Sequence, residues 1–334
     1  MHNKVYEKTK KFIKENLWFF ISLIVILLLF NIELPYMVEM PGGYIPLNDR
    51  IVIEGKDNTN SDMGMAYVTM LKGNIPFLLF SYINNDFDIV SKDKLTYQNE
   101  STQDMTTRDK LSMNEAMSNA TIAAYSEAGE YFKINSIKIY VSHVLNENSE
   151  LKVGDNIIKV NDNNVNNLNE LQNYINSLSL NDKVKVTVIR DNKEIDVETT
   201  LMDSNNRLVM GVTIINNYDI ETNPKVDIKS KFNESGPSGG LMTALTIYDK
   251  LTSSNLSKGD KIIGTGTISK EGLVGEIGGI KYKLIGAVNN KAKVFLCPKE
   301  NYEEAKKIKE ERNYDIIIKD VGTLSEAINY LKSR

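Results

Sequence analysis

The stretch "NESGPSGGLM", residues 233 to 242, sets one serine, Ser238, between a proline and a glycine pair. An apolar run of helical period follows through Leu241, Ala244, Leu245 and Tyr248. A hydroxyl at the mouth of a helix, flanked by residues that cannot crowd it, is placed as a nucleophile would be. Gly236, Ser238 and Gly240 also spell G-x-S-x-G, the pattern of a sharp strand-to-helix turn that exposes a serine above a sheet. A serine hydroxyl attacks only when a neighbouring base takes its proton, so the base decides the chemistry.

Few bases are available. The chain has two histidines, His2 and His143, and both precede Ser238. An α/β-hydrolase keeps its histidine after the nucleophile, so an esterase of that class fails here. His2 sits in a charged tail before a hydrophobic segment, and His143 reads as a plain strand residue. A Ser-His-Asp triad is therefore disfavoured, and the base falls to a lysine. A lysine amine has an ordinary pKa near 10.4 and takes no proton at neutral pH until desolvation lowers it toward about 7.5. That change is worth about 4 kcal/mol. Such a lysine must lie in a tight, apolar wall, which "GEIGGI", "LIGA" and "LVG" offer.

Two further stretches join the serine, "GTGTISKEGLVGEIGGIKYKLIGA" and "KVFLCPKEN". Gly236 to Gly240, then Thr265 to Ile268, then Gly278-Gly279-Ile280-Lys281-Tyr282-Lys283 stand in one order. This resembles the proteolytic domain of Lon-type serine proteases, with G-P-S-[AG]-G, T-G-x-I and G-G-[LIV]-x-x-K. The resemblance implies Ser238 as nucleophile and Lys283 as general base. It implies Thr265 as a hydroxyl that holds the lysine amine, with Gly236, Pro237 and Gly239 supporting the turn. Lys281 lies about 200° from Lys283 on a helix, so both cannot face one site, and it reads as solvated surface. ATP-dependent relatives place an acid three residues before the serine; here that position is Ser235, with Glu234 one further back. Backbone N–H groups at the helix start can stabilise an oxyanion.

Other classes are excluded by composition. The formal net charge is −4 and the basic residues are dispersed, which leaves no footprint for nucleic acid. The single cysteine, Cys297 in "VFLCP", permits neither an intrachain disulfide nor a cysteine metal site, and no metal or cofactor is expected. No G-x-x-x-x-G-K-[ST] occurs, so no ATPase module and no use of ATP are expected.

The elements that must position this chemistry begin at the amino terminus. Residues 1–15 form a lysine-rich tail that includes Lys4, Lys8, Lys10, Lys11 and Lys14. Residues 16–34 contain "NLWFFISLIVILLLFNI", a transmembrane anchor close to the minimum span. By the positive-inside rule the tail is cytoplasmic and the rest extracellular, and "FNIELPYMVEM" offers no small-x-small cleavage site. Residues 35–110 read as a β-rich region, with "IPFLLFSYI" among its strands and a charged linker at its end.

Residues 111–203 carry a helix stopped at Gly129, then strands, a turn and a helix over 167–178. With Leu151, Lys152, Gly154, Asp155 and Ile157 spelling "L-K-x-G-D-x-I", this resembles a PDZ domain of the bacterial protease type. Such domains bind peptide ends by adding a strand. The resemblance places that groove beside Ile139, Tyr140 and Val141, with Leu171 and Ile175 on the opposite wall. Residues 204–334 alternate strand and helix.

The expected architecture is thus multidomain: a transmembrane helix, a β-rich juxtamembrane region, an α+β PDZ domain and an α/β Lon-type domain. The whole resembles the membrane-anchored PDZ–Lon proteases of Gram-positive bacteria. It implies an ATP-independent extracytoplasmic endopeptidase that cuts peptides or flexible protein segments with a Ser-Lys dyad. Because Lon-type domains often form rings, a homo-oligomer is compatible with it. The alternative is an anchored PDZ scaffold with a catalytically silent Lon-like domain.

Overall fold

The computed structural model describes residues 2–57, 59–97 and 100–334, with side chains from residue 5 onward. The side chains of His2 and Lys4 in the tail, and Gln98 and Asn99 in the linker, lie outside the described residues. The chain divides into two compact units, Met1–Pro41 with Val68–Leu95, and Gly42–Tyr67 with Thr96–Arg334.

In the first unit the helix His2–Glu15 is followed by the wholly apolar helix Leu17–Asn31. No single helix among the described residues is long and apolar enough to cross a membrane. Val5–Glu15 and Leu17–Asn31 together meet that length and composition but are bent by 71°. The strand opening at Glu33 pairs antiparallel with Asp88–Ser91, from Tyr36 opposite Ser91 to Glu39 opposite Asp88. "IPFLLFSYI" is a helix, Ile75–Ile83, where the β-rich pattern had suggested a strand. Its start signals explain the difference: the Asn74 side chain accepts from Phe77 N–H at 3.0 Å, and Pro76 occupies the first turn.

The second unit holds two cores. In one, Lys261–Gly264, Val294–Pro298, Ile317–Val321 and the start of the Asp62–Asn74 strand form a parallel sheet. Alternation along the strands fills both faces. Met63, Ile262, Val294 and Leu296 meet the helices Gly240–Thr252 and Leu324–Ser333. Ala66, Ile263, Phe295 and Cys297 meet Ile280–Asn289 and Tyr302–Glu311. The segment Gly42–Tyr67, read with the juxtamembrane region, thus lends this sheet a strand.

The helix that the sequence grouped with residues 111–203 runs over Thr102–Ala128, begun by a Ser101–Asp104 capping box and ended by Gly129 in the left-handed region. Its Ala120, Ala123, Ala124 and Tyr125 pack in the core of the Gly240–Thr252 helix.

The second core belongs to a sheet ordered Val212–Asn223, Tyr131–Val144, Asn156–Val160, Lys183–Arg190 and Lys193–Thr200, with the helix Leu168–Asn176. Asp155 explains the "G-D" of its motif. The buried carboxylate takes Arg190 Nε and Nη2, both at 2.7 Å, and Lys152 N–H at 2.7 Å. Gly154 has φ +97°, a conformation that only glycine adopts freely.

Candidate active site

Ser238 lies in the turn that opens the helix Gly240–Thr252, which is buried from Gly240 to Leu251. Its carbonyl accepts from Gly266 N–H at 2.8 Å and from Thr265 Oγ1 at 3.1 Å. The hydrogen bond that Thr265 donates fixes the nucleophile's own backbone and leaves the hydroxyl oxygen able to accept. Thr265 is fully buried, and its N–H donates to Leu296 O at 2.9 Å, so the turn is pinned to the end of the central strand.

The supporting residues each do something definite. Gly236, at φ +91°, donates its N–H to the Asp109 carbonyl at 2.9 Å. Pro237 O accepts from Gly240 N–H at 3.2 Å, and Leu241 N–H goes to Gly266 O at 3.1 Å. No side chain caps the helix at Gly239. The N–H groups nearest the serine are those of Ser238 and Gly239, at the end of the helix where the dipole is positive. A Cβ at Gly239 would press on the Met65 sulfur, so a side chain there would make Met65 move.

Lys283 approaches from the other face of the sheet. Its helix, Ile280–Asn289, starts at Gly279 in the left-handed region, φ +69°, and buries Ile280, Leu284 and Ala287 against Ile263 and Phe295. Lys283 is only 4% exposed, while Lys281 is half-buried with its amine 5.4 Å from the Tyr282 ring centroid. The serine turn and the lysine helix therefore flank Lys261–Gly264, and Thr265 is the first residue beyond its carboxyl end. That is where open α/β sheets place ligands. A serine at a dipolar helix start and a buried lysine are residue types that acyl transfer uses.

Sequence reasoning missed several residues that hold this arrangement. Arg50 Nη1 reaches both oxygens of Glu234, at 2.8 and 2.7 Å, and Lys231 N–H donates to Glu234 Oε2 at 2.9 Å. Glu234 thus anchors the loop leading to Ser238. Asn301 accepts from Ile277 N–H and donates to Ile277 O, each at 3.0 Å, fixing the turn before the lysine helix. Neither pair leaves a local sequence signal, because the partners are remote. Among the described residues no cluster of His, Cys, Asp and Glu could hold a metal ion.

The peptide groove needs correction. Ile139, Val141, Leu171 and Ile175 are buried in the second core, and Tyr140 is half-buried. The strand that carries Ile139, Tyr140 and Val141 is paired on both edges. Ile214, Ile215 and Asn216 oppose Val141, Tyr140 and Ile139 on one side, and Ile157 and Asn156 oppose Ile139 and Tyr140 on the other. Strand addition needs an unpaired edge, and on this side of the sheet that edge belongs to Val212–Asn223. Asn216 directs its N–H outward to Glu115 Oε1 at 3.2 Å, so Ile214, two residues earlier, faces the same way. Val212 and Ile214 pack on the core that holds Leu171 and Ile175.

His143, the remaining imidazole, is buried in the same strand, its ring 4.4 Å from that of Tyr97. Burial holds its pKa below the ordinary histidine value, with Glu100 and Asp104 opposing and Arg108 adding to the shift.

Two families match parts of the chain. Residues 110–201 match the PDZ domain family, and residues 221–333 match the Lon protease (S16) C-terminal proteolytic domain. Lon protease 2 of Borreliella burgdorferi is 29% identical over 118 residues, covering 34% of this chain and 15% of that protein. The Lon protease of Campylobacter jejuni is 34% identical over 119 residues, covering 32% of this chain and 15% of that protein. The chain thus spans about 15% of the length of these curated relatives. Among solved structures, the PDZ domain of an SdrC-like protein from Listeria monocytogenes is 24% identical. It covers 25% of this chain and 92% of that one, with a TM-score of 0.23.

Proposed function

We propose that this chain, which carries a PDZ domain and a Lon-type serine endopeptidase domain, is an ATP-independent protease held at the outer face of a membrane. The observation that carries the reading is that Ser238, at the uncapped start of a buried helix, and the buried Lys283 lie on elements packed on either side of the strand ending at Gly264.

In this mechanism the neutral Lys283 amine takes the proton of Ser238 Oγ as that oxygen bonds to the peptide carbonyl carbon. The carbonyl oxygen becomes an oxyanion held by N–H groups at the helix start, where the dipole adds to them. The lysine ammonium then protonates the leaving amine as the C–N bond breaks. Water, deprotonated by the same lysine, releases the acyl group from the serine.

Without an ATPase module in this chain, substrates are peptides or already flexible segments. The Val212–Ile214 end of the outer strand, ahead of the stretch that the helix Thr102–Ala128 covers through Glu115 and Ser118, is a place for an extended peptide to add. The apolar Leu17–Asn31 helix serves as the anchor, with the lysine-rich tail cytoplasmic.

Two measurements test the reading. Purified full-length chain in detergent is expected to cleave an unstructured protein such as casein at the same rate with and without ATP. In cells displaying the chain, added protease is expected to remove the region after residue 34 from outside. No cleavage of several unstructured substrates would favour the scaffold; shielding of the carboxyl-terminal domain would place it inside.

A further inference from the structure

The helix Ile75–Ile83 is built the wrong way round for a helix in water. Its nine residues include no charge. Its one buried side chain is Ser81, whose hydroxyl donates to the Leu78 carbonyl at 2.8 Å. Leu79, Phe80, Tyr82 and Ile83 point outward, 64%, 52%, 88% and 81% exposed. At 100° per residue these four fall within an arc of about 160°, opposite Ser81. A surface helix in water shows the reverse, with its apolar stripe inward.

The helix abuts the end of the preceding apolar helix through its other side, which leaves the outward face free of that helix. Phe30, near the end of Leu17–Asn31, makes an edge-to-face contact with Phe77 at 5.9 Å, and the Asn74 amide donates to Phe30 O at 3.3 Å. Phe80 meets Phe87 edge-to-face at 5.3 Å, so aromatic rings gather where the first helix ends. The 15 residues of Leu17–Asn31 reach only about 22 Å, short of the roughly 30 Å of a hydrocarbon core. A second apolar element at the outer end supplies what the short span lacks. Such mismatch is otherwise met by thinning the bilayer.

We infer that Ile75–Ile83 is an interfacial membrane helix that inserts Leu79, Phe80, Tyr82 and Ile83 into the outer leaflet beside the anchor. Trp18, 80% exposed at the other end of the apolar helix, and Tyr82 at this end would then mark the two interfaces. The inference rests on the anchored reading proposed above.

The test uses the full chain in phosphatidylcholine–phosphatidylglycerol vesicles. Cys297 is the only cysteine and is buried, so a polarity-sensitive dye can be placed selectively on Ile83→Cys, with exposed Lys193→Cys as the aqueous control. Trp18, the only tryptophan, reports the anchor without a label. The expected result is a blue-shifted dye at position 83, quenched at least about twofold by doxyl-labelled lipid and shielded from iodide, with the reverse at position 193. Tyr82→Cys repeats the measurement if Ile83→Cys fails to fold.

A dye at position 83 open to iodide, with Trp18 quenched by doxyl lipid, would overturn the inference and leave the anchor standing. Failure of doxyl lipid to quench either site would overturn both. A dye shielded from both quenchers, in chains that cross-link to each other, would assign the face to a second copy and also overturn the inference.

Discussion

Thr265 Oγ1 donates to the carbonyl of Ser238 at 3.1 Å, and the adjacent Gly266 N–H donates to the same oxygen at 2.8 Å. The second motif therefore fixes the backbone of the first, at the point where the central parallel strand ends. Two sequence signatures far apart in the chain meet on one carbonyl.

Thr265→Val removes the hydroxyl while keeping the side chain's size. Gly266 N–H still satisfies the carbonyl, so the expected loss of stability is about 0.5–1.5 kcal/mol. The expected kinetic effect is a fall in kcat of tens of fold with KM nearly unchanged, because the turn carrying the nucleophile loosens. Thr265→Ser, which keeps the donor, should retain most of the activity. Steady-state kinetics on the three proteins and one melting curve for each decide the matter; a large KM effect with normal kcat would assign Thr265 to substrate binding.

The two glycines before the lysine helix should behave differently. Gly279 has φ +69°, where a side chain costs about 1–2 kcal/mol. A Cβ on Gly278 meets nothing within 4 Å, and its φ is not in the left-handed region. Gly279→Ala is expected to lower both the melting temperature and kcat, and Gly278→Ala to alter neither. Equal effects would mean that the turn, not the backbone angle, sets the position of Lys283.

His143 gives a pH dependence of known sign. Tyr97, Glu100, Asp104 and Arg108 face it, and burial holds its folded pKa below its unfolded value near 6.5. Below that value the unfolded chain binds the proton more readily, so stability falls as the pH drops through about 6.5. Burial raises the carboxyl pKa of Asp109 and Glu115, which acts in the opposite direction at lower pH. The comparison with His143→Phe, which keeps a ring but not the proton, isolates the histidine. Melting temperatures at pH 7.5 and 5.0 should differ more for the natural chain than for the variant; an equal or smaller difference would contradict this.

What the sequence made legible was local. The serine turn, the T-G-x-I strand and the G-G-x-x-x-K helix are short motifs whose geometry is set by residues a few places apart. The "G-D" turn at Gly154 and Asp155 is of the same kind. Long-range pairing was not legible. Lys261 pairs with Asp62, and nothing near either residue announces the other. The groove assignment at Ile139–Val141 failed for the same reason, since an edge is defined by which strand fails to appear beside it. "IPFLLFSYI" reads as a buried strand by composition, and only Asn74 and Pro76 mark it as a helix. Its outward apolar face is a property of packing that no pattern in nine residues could show.

The central claim is that Ser238 and Lys283 act as nucleophile and base. The most direct test is kcat/KM on an unstructured protein without ATP for the natural chain, Ser238→Ala, Lys283→Ala and Lys281→Ala, each checked for folding by its melting curve. The account predicts losses of roughly 10³-fold or more for Ser238→Ala and Lys283→Ala, and near-natural activity for Lys281→Ala. An inactive Lys281→Ala beside an active Lys283→Ala would contradict it.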